Sequence, residues 1–215
     1  MGQQIDARLL ELICARLCHD LVGPVSAIGN GVELVTEFGE DMRGEALALI
    51  AQSASEAAQR LQFFRIAFGS AAGADGRGIS VAEGRTRALG WPLGGRVSLD
   101  WPNPAPGAEL ERGALKLLLN LFMIAVDATV GTGTVRVRVP GDHDDEIFTV
   151  VAEGAKAGLS EEVNRALGGQ LTAGEATPRT AIAVYVGVLA AEAKVAIQTV
   201  AEAGRVRLAG RSIKP

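Results

Sequence analysis

Residues 15–30 read ARLCHDLVGPVSAIGN and hold His19, one of two histidines in the chain. An acid, Asp20, follows it directly, and a proline, Pro24, comes five residues later. A neutral imidazole is a good nucleophile toward phosphorus, and a carboxylate beside it can orient the ring or hold the proton on its second nitrogen. Phosphoryl transfer is thus open to the pair His19 and Asp20, and so is the plain role of a surface histidine on a helix. Arg16, one helical turn earlier, is placed to meet an anion.

The surrounding residues predict a helix over 5–37. Leu10, Ile13, Leu17, Leu21, Pro24, Ile28, Gly31 and Val35 recur at spacings of three and four, as in a coiled-coil seam. A helix advances about 100° per residue, so His19 points away from that seam toward solvent. Leu12, Ala15, Arg16, Val22, Gly23, Ser26 and Asn30 share its side, and most of them are small. Another protein can approach such a surface closely, so Arg16, Gly23, Ser26 and Asn30, with Pro24 beside them, are candidate partner or phosphoryl contacts. Pro24 lacks an N–H and crowds the carbonyl of Asp20, at a cost of about 3 kcal/mol in a helix interior. Gly23 adds a further cost in the same turn. Local rules broken together beside a histidine point to a functional site.

A second helix over 42–69 carries Leu47, Ile50, Ala54, Ala57, Leu61, Phe64 and Phe68 at the same spacings. The turn between the helices is FGEDMRG, with Gly39 ending the first and Asp41 starting the second. Two helices so joined form an antiparallel hairpin, and pairing two hairpins makes a four-helix bundle. A homodimer is expected, since symmetric dimers are the commonest oligomers, the alternative being that the hairpin packs on the rest of its own chain. The glycine- and alanine-rich stretch 69–78 reads as a linker, which divides the chain into a hairpin at 1–72 and a second domain at 73–215.

The second domain alternates element types. Helices are expected at 81–89, 108–129, 160–167 and 178–193. Strands are expected at 96–101, 134–139, 146–153 and in two closing segments, KVAIQTV and RVRLAG, around AEAG. This order predicts a two-layer α+β sandwich. Trp91 and Trp101 are expected as core anchors.

The composition supports a packed protein: 215 residues, 48% hydrophobic and 21% charged. A formal charge of −4 argues against nucleic acid or an anionic membrane as partner. No apolar run of about 18 residues stands out, so no membrane span is expected. Cys14 and Cys18 lie one turn apart and form no disulfide framework, which fits a reducing cytoplasm. They are expected to be free and buried. With His19 about 100° from Cys18 and no fourth ligand near in sequence, they make no metal site. His143, among acids in GDHDDE, reads as part of a solvated hairpin turn. The arginines alternating at 135–140 read as one face of a half-buried strand.

The stretch CHDLVGP resembles the phosphoacceptor motif of two-component histidine kinases. The helix LLLNLFMIAVDAT is similar to the kinase asparagine box at Asn120, Leu121 and Ala125. The resemblance puts Ile124 where kinases carry a magnesium-holding asparagine, and isoleucine offers no oxygen to a hard cation. It puts Ala152 at the adenine-reading aspartate of an Asp-x-Gly-x-Gly motif and Lys156 at that motif's second glycine, with Gly154 retained. The last phosphate-binding turn, ATPRTAIAVYV, has no glycine. The chain as a whole resembles the ChpT family of histidine phosphotransferases, which join a kinase-like dimeric bundle to a kinase-like α/β domain without a nucleotide site.

That resemblance implies a phosphorelay intermediate with His19 as phosphoacceptor. The phosphoryl group passes between receiver-domain aspartates, from a hybrid kinase to response regulators. No cofactor of its own is implied, since the receiver supplies magnesium. Two alternatives remain open on sequence: an ATP-dependent histidine kinase with an aberrant pocket, and a dimeric scaffold in which His19 is incidental.

Overall fold

The computed structural model describes residues 6–38, 42–69, 80–94, 96–141, 143 and 145–213. The expected cap and start residues Gly39 and Asp41, and nearly all of the expected linker, lie outside them. Helix α1 runs Ala7–Phe38 and continues through Pro24. Helix α2 runs Arg43–Ala67, with Met42 at its N-cap and no side-chain cap. The two pack as the expected antiparallel hairpin.

The seam is only partly as expected. On α1, Ile13, Pro24 and Gly31 are buried, and Leu17, Leu21, Ile28 and Val35 half-buried. Gly31 is needed there because a Cβ would lie 2.6 Å from the Ile50 side chain. Leu10, however, is exposed and Leu9 is buried in its place, because Leu9 faces the second domain. On α2, Ala57 and Phe64 are buried, but Leu47, Ala54 and Leu61 are exposed. The two apolar positions of a seven-residue repeat flank one seam with a small angular offset. Here one row of that seam meets α1 and the other is left exposed among the described residues.

The same division appears on α1. Cys14, Cys18, Val22, Val25, Gly29 and Val32 form a second, exposed stripe. By length and composition α1 could cross a membrane, with an 18-residue window of mean hydropathy 1.3. This corrects the expectation that no such segment exists. The apolar residues form two stripes broken by Arg16 and Asp20, so no continuous run is visible.

The second domain begins with α3, Val81–Leu89, whose cap Ser80 accepts a hydrogen bond from the Glu83 amide. Then come β1 (Val97–Asp100), α4 (Arg112–Ala128), β2 (Gly133–Arg138) and β3 (Glu146–Glu153). Helices α5 (Glu161–Leu167) and α6 (Ala181–Ala193) follow, then β4 (Val195–Glu202) and β5 (Arg205–Ser212). The sheet order is β1-β2-β3-β5-β4, with β1 and β2 parallel and the other neighbours antiparallel. Helices α4 and α6 cover one face, which gives the expected two-layer α+β sandwich.

Helix α4 is apolar on nearly every side and correspondingly buried. The outer sheet face is charged. Arg136 and Arg138 from β2 pair with Asp100, Arg136 and Arg205 pair with Glu153, and Arg207 grips the buried Glu146 at 2.6 Å. These cross-strand pairs balance the arginines locally, so the alternation at 135–140 is a solvated sheet face.

One hydrophobic core joins hairpin to sandwich. Phe63, fully buried on α2, lies 4.7 Å from the Trp91 ring and 5.8 Å from that of Phe122 on α4. Trp91 and Trp101 are both buried, as expected. Asn120 on α4, fully buried, donates to the Ala67 carbonyl at the end of α2. Replacing Phe63 with alanine is expected to cost about 3–5 kcal/mol, read by urea unfolding.

Glu146 gives an acid-stability prediction. Burial works to raise its pKa, but Arg207, Thr149 and Arg211 outweigh burial and hold it at about 2, below its ordinary 4.5. A depressed carboxylate stabilises the fold above the unfolded value, and that contribution is lost as pH falls toward the folded one. Glu146→Gln is therefore expected to lower the melting temperature at pH 7, with the gap to wild type closing between pH 4.5 and 2.

Candidate functional site

Helix α1 presents the His19 side chain to solvent at 86% exposure. The buried seam lies on the far side of the helix, as the periodicity requires. Ser26 and Asn30 are exposed, two and three turns further along the His19 side.

Asp20 departs from the helical-wheel expectation. Neighbouring helical residues point about 100° apart, yet its Oδ1 lies 3.3 Å from His19 Nδ1. The carboxylate spans that angle by lying along the helix surface, and it is only 10% exposed. A proton on Nδ1 would face the Asp20 carboxylate and leave Nε2 its lone pair. That is the arrangement a nucleophilic imidazole needs.

Arg16 has a different role from the one its spacing suggested. It does not stand ready for an anion. Its Nε donates to Asp20 Oδ2 at 3.0 Å, and its Nη2 donates to both oxygens of Asp127, at 3.1 and 3.3 Å. Burial works against its charge, but Asp127 and Asp20 outweigh burial and raise its pKa above the ordinary value. Asp127 belongs to α4, 111 residues away in sequence. Sequence reading missed it. Its signal was there: it is the only charged residue between Lys116 and Thr129.

A cleft of about 350 Å³ opens beside His19, lined by Asp20, Gly23, Pro24 and Ala27 of α1 and by Ser53, Glu56 and Arg60 of α2. Pro24 is buried in its floor. A Cβ on Gly23 would meet nothing within 4 Å, so no internal contact requires glycine there. Ser26 and Asn30 do not line the cleft. The α2 residues were also missed, because only tertiary packing brings them opposite His19. Arg60 is held by Glu56 at 2.7 Å and stacks over Trp91 with its guanidinium carbon 5.2 Å from the ring centroid. Cys14 and Cys18 are free but exposed, which corrects the expectation of burial: they sit on the unpartnered stripe of α1.

A second cleft, about 240 Å³, lies between α1 and the sandwich. Ile124 lines it, buried and without an oxygen donor. Asp127 is the one carboxylate among its described lining residues, and Arg16 occupies it. Ala152 is fully buried in β3 and Lys156 is exposed. Gly154 is explained by packing: a Cβ there would lie 2.5 Å from the Thr132 carbonyl oxygen. Asn120 is turned into the α2–α4 contact. These residues do not fit magnesium-nucleotide.

A family model for the histidine phosphotransferase C-terminal domain matches residues 81–205. Protein phosphotransferase ChpT from Brucella abortus (strain 2308) is 39% identical over 145 residues, spanning 66% of this chain and 66% of that protein, just under two thirds of its length. The solved structure of a bacterial phosphotransferase superposes with a TM-score of 0.78 at 29% identity, over 97% of this chain and 98% of that one. The family match covers more than half of the sequence, and the structural match runs through both the hairpin and the sandwich. The chain belongs to the ChpT-type histidine phosphotransferases.

Proposed function

We propose that His19 carries a phosphoryl group between receiver-domain aspartates in a phosphorelay, without ATP. The carrying observation is the open imidazole with a poorly exposed carboxylate at its Nδ1 and a cleft beside the ring. Nε2 attacks the phosphorus of a receiver's aspartyl phosphate in line. The N–P bond forms, the P–O bond to the aspartyl carboxyl breaks, and the receiver recovers its carboxylate. The proton stays on Nδ1, where Asp20 offsets the positive charge developing on the ring. The reverse transfer loads a second receiver. Magnesium, a hard cation bound by oxygens, belongs to the receiver in this reading.

The donor is read as the receiver domain of a hybrid kinase and the acceptors as response regulators. The hairpin at 1–72 is the transfer unit and the sandwich at 73–215 supports it. A homodimer is favoured by the unpartnered apolar stripes: Val22, Val25 and Val32 on α1, and Leu47, Ala51, Ala54, Ala58 and Leu61 on α2. A second copy covers both stripes at once and completes a four-helix bundle. His19 flanks the α1 stripe and stays open. Exposed free thiols fit a cytoplasmic location.

The test is phosphotransfer from an acetyl-phosphate-loaded receiver to wild type and to His19→Ala, with Mg-ATP alone as control. Wild type is expected to take up label from the receiver and none from ATP, and His19→Ala none from either while remaining dimeric. Label retained by His19→Ala would refute the carrier role. A partner surface at Gly23 makes a separate prediction. Gly23→Ala is expected to raise helix stability by about 0.5–1 kcal/mol, seen as a higher melting temperature. It is expected to slow transfer at limiting receiver concentration.

A further inference from the structure

We propose that Asp127 is a positioning residue for transfer at His19: from the sandwich, and acting through Arg16, it holds Asp20 against the imidazole. The proposal rests on His19 being the phosphoacceptor, and it gives the second domain a part in the chemistry.

The contacts form an unbroken chain. Asp127 takes Nη2 of Arg16, Arg16 Nε takes Oδ2 of Asp20, and the other oxygen of Asp20 lies 3.3 Å from His19 Nδ1. Asp20 therefore has one oxygen committed and one aimed at the ring. A carboxylate on a helix surface has other staggered rotamers, and most turn it away from its neighbour. Arg16 selects among them. Arg16 itself is long and rich in rotamers, so an anchor at one end only would leave it loosely placed. The planar guanidinium solves this by answering two carboxylates with two different nitrogens, Nε and Nη2.

The far anchor is rigid. Asp127 sits near the C-terminal end of α4, whose remaining turns are packed in the core of the sandwich. A fixed support of this kind is what holds a reacting side chain in a single geometry. Phe63 and Asn120 tie α2 to α4, so the hairpin and the anchor keep their spacing.

The charges agree with the same role. Asp127, Arg16 and Asp20 together carry one net negative charge. That charge matches the positive charge that grows on the imidazole as the N–P bond forms. Without Asp127 the remaining Arg16–Asp20 pair is neutral and offers the ring no net counter-charge. An isolated, partly exposed ion pair contributes little to stability, and the Asp127 side chain is 57% exposed. Its removal therefore changes the site more than the fold.

The experiment uses the full-length protein, a phosphorylated receiver, and the variants Asp127→Asn and Asp127→Glu. Asp127→Asn keeps the shape and removes the charge. At saturating receiver it is expected to slow transfer about tenfold, the order of one lost charge-assisted hydrogen bond. The receiver concentration at half-maximal rate is expected to stay the same. Asp127→Glu is expected to recover most of the rate. Nitrogen-15 NMR of the His19 ring supplies a readout independent of transfer: wild type holds the Nδ1–H tautomer, and Asp127→Asn shifts population toward Nε2–H. A wild-type rate with a wild-type tautomer in Asp127→Asn overturns the proposal. So does a slowing that arises wholly from weaker receiver binding with the tautomer unchanged. A wild-type protein that accepts no phosphate would instead refute the carrier reading, while the tautomer comparison still decides whether Asp127 positions the ring.

Discussion

An imidazole that trades a phosphate with other proteins has to stand in the open, and an open side chain has little packing to orient it. That constraint shapes the rest of the site. The ring of His19 is exposed, so its orientation has to come from below, through a carboxylate that is itself mostly covered. Asp20 meets that need, but only because Arg16 fixes it, and Arg16 is fixed in turn by a residue from another part of the chain. Exposure at the reacting atom is thus matched by order in the layer beneath.

The hairpin bears local costs that its packing has to offset. Pro24 removes a hydrogen bond from the middle of α1, and Gly23 weakens the same turn. Both line the cleft beside His19. Space near His19 is obtained at the expense of helix stability, and the aromatic cluster at the C-terminal end of α2 supplies compensation through Phe63, Phe64 and Trp91. Cleft and cluster adjoin, since Arg60 lines the one and stacks over Trp91 in the other.

In the sandwich, positions that resemble a nucleotide site in sequence have structural roles. Glycine at 154 and asparagine at 120 both have structural work: one permits a close backbone approach between strands, the other pins α2 to α4. The positions that would have to supply oxygen to a metal or recognise adenine are apolar and buried. What remains is a rigid support. Its outer face, laced with arginine–carboxylate pairs, is neutralised locally and gives the sheet a solvated exterior.

Much of this was legible in the amino-acid order. Periodicity located each helix and strand to within a few residues, because the pattern of apolar side chains is what selects the element. It also turned His19 outward, since the angle per residue is fixed by helix geometry. Periodicity did not divide the two apolar stripes of each helix, because both follow the same seven-residue spacing; only packing shows that Leu47 and Leu61 lack a neighbour while Ile50 and Phe64 have one. Nor could spacing show that Arg16 is engaged by Asp127 or that Arg60 and Glu56 stand across the cleft, since these contacts join residues on different helices. The sequence alone determined the candidate imidazole and the helix that displays it. The tertiary structure decided what surrounds that side chain, because a side chain's partner depends on where distant segments meet, and local order carries no measure of that distance.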